Sequence, residues 1–422
     1  MTNIQKKKNK KDFIYHKTAG GLNIIYRYAD SNVEYCGVDV AVGSRNEEPS
    51  QYGLAHFIEH SLFKGTQKHK ASYIANRMEQ VGGELNAYTT KDETVIYSTF
   101  PKGNLNRAVT LISDLVINSV FPEEQLNRER DVVLDEIDSY RDAPADAIYD
   151  DFEEYLFQGT SLAHNILGNK NTIYTFDSEV CKNFMKKYYV ASNMVFFYMG
   201  ATQAEKVFGI VEKCFADLNS GAVRTDSSEI CSLQKNVSFR KEEHIDCHQS
   251  HTIVGCTIPG AKSKAKYSLA LLTNMLGGPG MNARLNTVLR EKRGLVYNID
   301  ASTVFYRDCG EFTIYFGCDK EDTNKCLSLI NSEIAKVANG ISQVQLDKAR
   351  KQYLGQLIVA SENKEQLTLS TAHEYLFNVL SQPESPEPIS SHIEDINAIT
   401  CSDIEEAARI ISPDKLSILT FV

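Results

Sequence analysis

Two histidines and a glutamate fall within five residues, His56-Phe57-Ile58-Glu59-His60. On an α-helix, side chains four apart share a face. His56 and His60 can therefore offer ring nitrogens to one metal ion while Glu59, three after His56, reaches the same space. Neutral imidazoles suit Zn²⁺, a third protein ligand completes the protein's share, and an open position holds a water acidified to a pKa of about 7. Glu59 is then the general base for that water. The bland alternative is an amphipathic helix whose histidines are hydrogen-bonded at the edge of a core, and other segments decide between the two.

The segment Pro122–Tyr140 reads PEEQLNRERDVVLDEIDSY. Leu126, Val133, Leu134 and Ile137 recur near helical period and acidic residues fill the first turn, so the segment is expected to be a helix. Glu129 and Glu136 lie two turns apart on one face and can address a single site. Glu136 follows His60 by 76 residues. Here the chain resembles the inverted-motif zinc peptidases of family M16, which include pitrilysin, insulin-degrading enzyme and the mitochondrial processing peptidase. Gly43-Ser-Arg-Asn-Glu47, Gly53 to Thr66 around the motif, and Gly82-Gly-Glu-Leu-Asn-Ala-Tyr-Thr89 resemble the family's signature segments. The resemblance, closest in type to the short two-domain bacterial members, implies one zinc ion per chain on His56, His60 and Glu136, with Glu59 as base and Glu129 assisting catalysis. The Gly82–Thr89 segment is expected to be an exposed edge strand whose Asn86, Ala87 and Thr89 bind an extended peptide by strand addition.

These residues need a scaffold, and the length of 422 residues favours two domains. Glu93-Thr-Val-Ile-Tyr97 echoes Glu311-Phe-Thr-Ile-Tyr315 at an offset of 218, and Met194–Tyr198 echoes Leu416–Thr420. The near-constant spacing points to a duplication. The expected fold class is α+β: two homologous α/β-layer domains with mainly antiparallel sheets, resembling the LuxS and processing-peptidase type of metallohydrolase fold. The expected division is a zinc-bearing domain at 1–225 and a second domain at 235–422, parted by the polar, turn-rich stretch near Asn219–Lys235. In the second half His56, Glu59 and His60 fall on Asn274, Gly277 and Gly278, and Glu136 falls on Gln356, so no zinc site is expected there. By resemblance, that half instead supplies Arg290 to hold substrate and Tyr297 to stabilise an oxyanion, behind the glycine-rich Gly277-Gly-Pro-Gly280.

Composition removes several function classes. A net charge of −10 argues against general nucleic-acid binding, and the basic run Lys6–Lys11 reads as a solvated terminus. No apolar run is long enough to span a membrane and no signal-peptide core follows the terminal lysines, so a cytoplasmic protein is expected. The ten cysteines carry no C-x-x-C pairing and read as reduced thiols. The cluster His244, Cys247, His248, His251 reads as the start of an ordinary strand, and His164 as a structural or positioning residue. The expected activity is a zinc metalloendopeptidase acting on peptides or unstructured segments. Two copies are expected to form a homodimer in which Arg290 and Tyr297 complete the partner's site. The competing reading is a catalytically silent peptide-binding or structural subunit, but such relatives usually lose zinc ligands.

Overall fold

The computed structural model describes residues 13–221, 238–245, 247–382 and 392–422. The basic run and most of the expected interdomain stretch lie outside the described residues. Two compact units are present, each built on one sheet.

The first sheet contains β1 (Phe13–Lys17), β2 (Asn23–Tyr28), β3 (Val33–Val40), β4 (Glu84–Thr89), β5 (Thr94–Pro101) and β6 (Met194–Gly200), in the order β1-β2-β6-β3-β5-β4. β6 is buried along its whole length because its apolar run, MVFFYMG, can cover both faces of a central strand. Neighbours pair antiparallel except β2 with β6. Alternate residues of β3 face opposite ways. Val38 and Val40 pack in the core with the motif helix Leu54–Leu62 and helix Leu105–Asn118, whereas Ala41 just beyond the strand joins a second core. That second core comes from helix Lys364–Ser381, whose Leu369, Ala372, Leu376 and Val379 lie against Ile25, Val95, Val195 and Phe197.

The second sheet contains β7 (Arg240–Glu243), β8 (Ser250–Pro259), β9 (Val296–Phe305), β10 (Cys309–Cys318) and β11 (Ser417–Phe421), in the order β7-β11-β8-β10-β9. One face packs on helices Lys266–Gly277 and Thr323–Ala338. The other is covered by helix Pro144–Leu156, with Ile148, Phe152 and Leu156 on Ile253, Tyr315, Leu419 and Phe421.

The run β2-β6-β3-β5-β4 and the run β7-β11-β8-β10-β9 share one topology, down to the single parallel pair that each contains. This is the fold class expected from the repeated segments, which enter β5 and lie within β10. The compact units interleave in sequence: one takes the described residues within Met1–Ile137, His164–Thr225 and Ala360–Ser390, the other those within Asp138–Ala163, Asp226–Val359 and Ser391–Val422. Each of the segments 1–225 and 235–422 thus lends one helix to the unit formed mainly by the other. The two lent helices begin at Pro144 and Lys364, 220 positions apart, so the exchange itself follows the duplication. Among the described residues no helix is long and apolar enough to cross a membrane, and the described cysteines are free, with Cys36, Cys181, Cys256, Cys309, Cys318 and Cys326 buried.

Candidate metal centre

The motif helix is set by both its ends and its apolar side. It begins at Gly53, whose φ of 97° is left-handed; an added Cβ there would stand 2.6 Å from the Leu167 carbonyl oxygen, so only glycine fits. The Glu47 carboxylate caps the helix, accepting from the backbone N–H of Gly53 at 2.8 Å and of Ala55 at 2.7 Å. A negative group at this end also opposes the helix dipole favourably. Burial pushes the Glu47 carboxyl up, while hydrogen bonds from His164, Ala55 and Gly53 pull the other way. His164 Nε2 lies 3.1 Å from Glu47, and its ring stacks on Tyr52 with centroids 3.7 Å apart. Leu54, Phe57, Ile58 and Leu62 are fully buried, which fixes the rotation of the helix and leaves His56, Glu59 and His60 on the remaining side.

The long helix Glu123–Arg141 packs through Leu126, Val133 and Ile137 and brings its two carboxylates to this side. Glu136 Oε2 stands 3.5 Å from His60 Nε2 and 3.8 Å from His56 Nε2. These separations are too long for hydrogen bonds. They match the edge of a tetrahedron with ligands about 2.0–2.1 Å from its centre, which is roughly 3.3–3.4 Å. One ligand atom from each of the three residues lies within 4.8 Å of the others. Burial, reinforced by the neighbouring His60, pushes His56 down to about 3, which keeps it in the neutral form that a metal requires. His56 Nδ1 is buried with no hydrogen-bond partner among the described residues. By donor chemistry and spacing, the three residues fit zinc.

Glu59 lies beside this trio. Its Oε2 accepts from Thr89 Oγ1 at 2.9 Å, and burial pushes its carboxyl upward against that hydrogen bond and against His60. Glu129 occupies a different place from Glu136. It is buried, accepts from Lys64 Nζ at 2.7 Å, and faces His60 Nδ1 at 3.5 Å, on the other side of the ring from Glu136. Burial opposes ionisation of Glu129, but the contacts to His60 and Lys64 prevail and hold its carboxyl below the usual range. A carboxylate behind a metal-binding imidazole orients the ring and raises its basicity.

Asn86, Ala87 and Thr89 lie on β4, an edge strand of the first sheet, with an unpaired backbone edge available for strand addition. Thr89 turns its hydroxyl to Glu59, so its side chain is engaged with that carboxylate. Arg290 and Tyr297 lie in the second unit. Arg290 is exposed in a six-residue π-helical turn, Asn286–Glu291, and Tyr297 is 57% exposed near the start of β9, its hydroxyl 3.4 Å from Asp319. At the positions equivalent to His56 and Glu136, Asn274 Nδ2 donates to Gln356 Oε1 at 2.8 Å, so a neutral amide pair stands where the first unit has a histidine and a carboxylate. His251 Nδ1 pairs with Tyr315 Oη at 2.8 Å in the strand expected for that segment.

The Glu47 cap, the Thr89 hydroxyl on Glu59 and Lys64 on Glu129 escaped the sequence, while His164, expected only as a structural or positioning residue, supports the Glu47 cap. Lys64 alone had a local signal, since it follows His60 by only four residues, in the turn just past the end of the motif helix.

The description "Insulinase (Peptidase family M16)" matches residues 24–170, and "Peptidase M16 inactive domain" matches residues 175–353. A Rickettsia bellii protein named "Uncharacterized zinc protease" is 32% identical over 410 residues, 97% of each chain. The Bacillus subtilis "Uncharacterized zinc protease YmxG" is 28% identical over 88% of this chain and 89% of that one. The crystal structure of a protease from Helicobacter pylori shares the fold with a TM-score of 0.89 at 22% identity, covering 98% of this chain and all of that one. With nearly the whole length matched by a relative of 32% identity and both domain descriptions found in order, this chain belongs to peptidase family M16.

Proposed function

We propose that the chain is a zinc-dependent endopeptidase acting on peptides or unstructured polypeptide segments. The observation that carries this reading is the spacing of His56, His60 and Glu136, at coordination rather than hydrogen-bonding distance, with the Glu59 carboxylate beside them. Zinc held by these three residues supplies Lewis acidity, which acidifies water and polarises a carbonyl. Glu59 takes a proton from the attacking water as the oxygen bonds to the peptide carbon, then delivers it to the leaving nitrogen as the C–N bond breaks. Thr89 anchors Oε2, which leaves Oε1 for the proton. The upward shift of Glu59 by burial suits a group that must both accept and return a proton near neutrality. Glu129 and Lys64 act on His60 and not on substrate, which makes Glu129 a positioning residue.

The edge strand β4 offers its backbone at Asn86 and Ala87 to an extended substrate, which is why the reading favours unstructured chains over folded ones. Arg290 and Tyr297, both exposed and on one stretch of the second unit, are free to meet substrate. The reading places them in a homodimeric chamber where they complete the partner's site, in the cytoplasm. The test is metal dependence. Chelator should abolish cleavage of an unstructured polypeptide and zinc should restore it, while His56→Ala, His60→Ala and Glu136→Gln should lose the zinc of this site and activity together. Cleavage unaffected by thorough chelation would overturn the reading.

A further inference from the structure

A second group of ligand-type side chains lies in the first unit, on the sheet face away from the motif helix. Asp39 projects from β3, Glu93 stands immediately before β5, and His373 comes from helix Lys364–Ser381. One carboxylate oxygen of each acid and a ring nitrogen of His373 all lie within 4.8 Å of one another. Strand alternation explains the placement. Thr89 turns toward Glu59, whereas its neighbour Tyr88 turns the other way and places its hydroxyl 3.5 Å from Glu93 Oε1.

The anomaly is Asp39. It is wholly buried, and neither carboxylate oxygen has a hydrogen-bond donor among the described residues. The carboxylate beside it, Glu93, is also buried and is bonded through Oε2 to His373 Nδ1. His373 can offset the charge of Glu93, to which it is bonded, but hydroxyls such as that of Tyr88 cannot offset a second buried carboxylate beside it. With both oxygens of Asp39 unpartnered and its carboxylate within reach of the same point as Glu93 and His373, a proton or a cation fits between them. His373 keeps 37% of its side chain exposed, which provides an entry path to a group otherwise sealed in the sheet.

We propose that Asp39, Glu93 and His373 form a second divalent-cation site, which pins helix Lys364–Ser381 to the first sheet. Two carboxylates and one imidazole select a first-row divalent ion such as Zn²⁺ or Mn²⁺ over soft Cu(I), which prefers thiolates, and over Ca²⁺, which takes all-oxygen cages. The ion's role is structural. It ties β3, the β4–β5 turn and a helix distant in sequence, and it neutralises a charge pair that the sheet otherwise buries. The site does not depend on the peptidase reading.

Metal counting on the intact, purified chain tests this. After chelator treatment, saturation with zinc and desalting, the parent should carry about two zinc ions per chain. Asp39→Asn and His373→Ala should each carry about one, and His56→Ala, which breaks only the motif site, should also carry about one. Zinc retained at the motif site, together with a parental circular-dichroism spectrum, shows that a variant is folded. His373→Ala, on a partly exposed helix face, decides the matter if Asp39→Asn does not fold. A parent with a single zinc that His56→Ala removes would overturn the proposal and leave a shared proton as the neutraliser. So would two ions retained in both Asp39→Asn and His373→Ala. A His56→Ala chain that keeps the parental count would instead count against the motif site, which separates the two failures.

Discussion

Glu47→Ala should loosen the motif helix without unfolding the chain. Glu47 is 6% exposed and accepts two backbone N–H groups, of Gly53 and Ala55, as well as meeting His164 Nε2. Each hydrogen bond to a charged acceptor contributes roughly 1.5–3 kcal/mol, and removing the acceptor leaves two N–H groups buried at a helix end. Removal also relieves the burial of a carboxylate, the largest influence on its titration, which offsets part of the loss. The net local cost is about 2–4 kcal/mol, at the upper end of helix-cap losses or beyond. With two compact units, a single melting temperature is a poor readout. Hydrogen exchange is better, since the cost corresponds to a roughly 30- to 700-fold fall in protection of the amides of Leu54–Leu62. Exchange in β10, in the other unit, should not change. Glu47→Gln keeps one acceptor and the side-chain shape and should show a smaller effect. Protection of the motif helix unchanged in Glu47→Ala would refute the assignment of Glu47 as its cap.

Three further outcomes are expected. Glu129→Gln should weaken zinc binding roughly 10- to 100-fold by releasing the His60 ring, with Lys64→Met acting in the same direction, as metal titration would record. Asp151, raised to about 6 by burial and then by Glu243, Glu154 and Asp150, favours the folded state in its protonated form. Its contribution is present below its ordinary value of 3.8 and is lost as pH rises through about 6. Asp151→Asn should therefore stabilise the second unit by about 1 kcal/mol at pH 8, after allowance for solvent screening, and by almost nothing at pH 3.5, as denaturant titrations at the two pH values would show. Glu59→Gln and Tyr297→Phe chains, each impaired alone, should regain activity when mixed under subunit exchange; no recovery despite demonstrated exchange would remove the trans-acting site.

The parts of this site that were legible in the sequence are those fixed by local period. His56, Glu59 and His60 share a helical turn, and Glu129 and Glu136 share a face two turns long, so spacing alone aligned them. The division of labour between those two glutamates was expected only through the resemblance to family M16 and not from spacing, because it depends on where the long helix meets the motif helix: Glu136 meets both histidines, whereas Glu129 meets His60 from behind, with Lys64. The edge position of β4 was expected from its β-compatible residues together with the family resemblance. That Thr89 holds Glu59 required the strand's register. Glu47 with His164, and Asp39 with His373, are partners across long sequence separations with no repeating pattern to join them. The exchanged helices Pro144–Leu156 and Lys364–Ser381 carry apolar faces that cover a sheet, but an apolar face does not name the sheet it will cover.

The central claim is that zinc is held by His56, His60 and Glu136 while Glu59 handles the proton. Glu59→Gln separates these roles, because it keeps every ligand and removes the base. Its zinc content should equal that of the parent chain, since the amide oxygen can still accept from the Thr89 hydroxyl, and peptide hydrolysis should fall by roughly 10²- to 10⁴-fold. Near-parental turnover in a zinc-loaded Glu59→Gln chain, or zinc lost together with activity, would contradict the account.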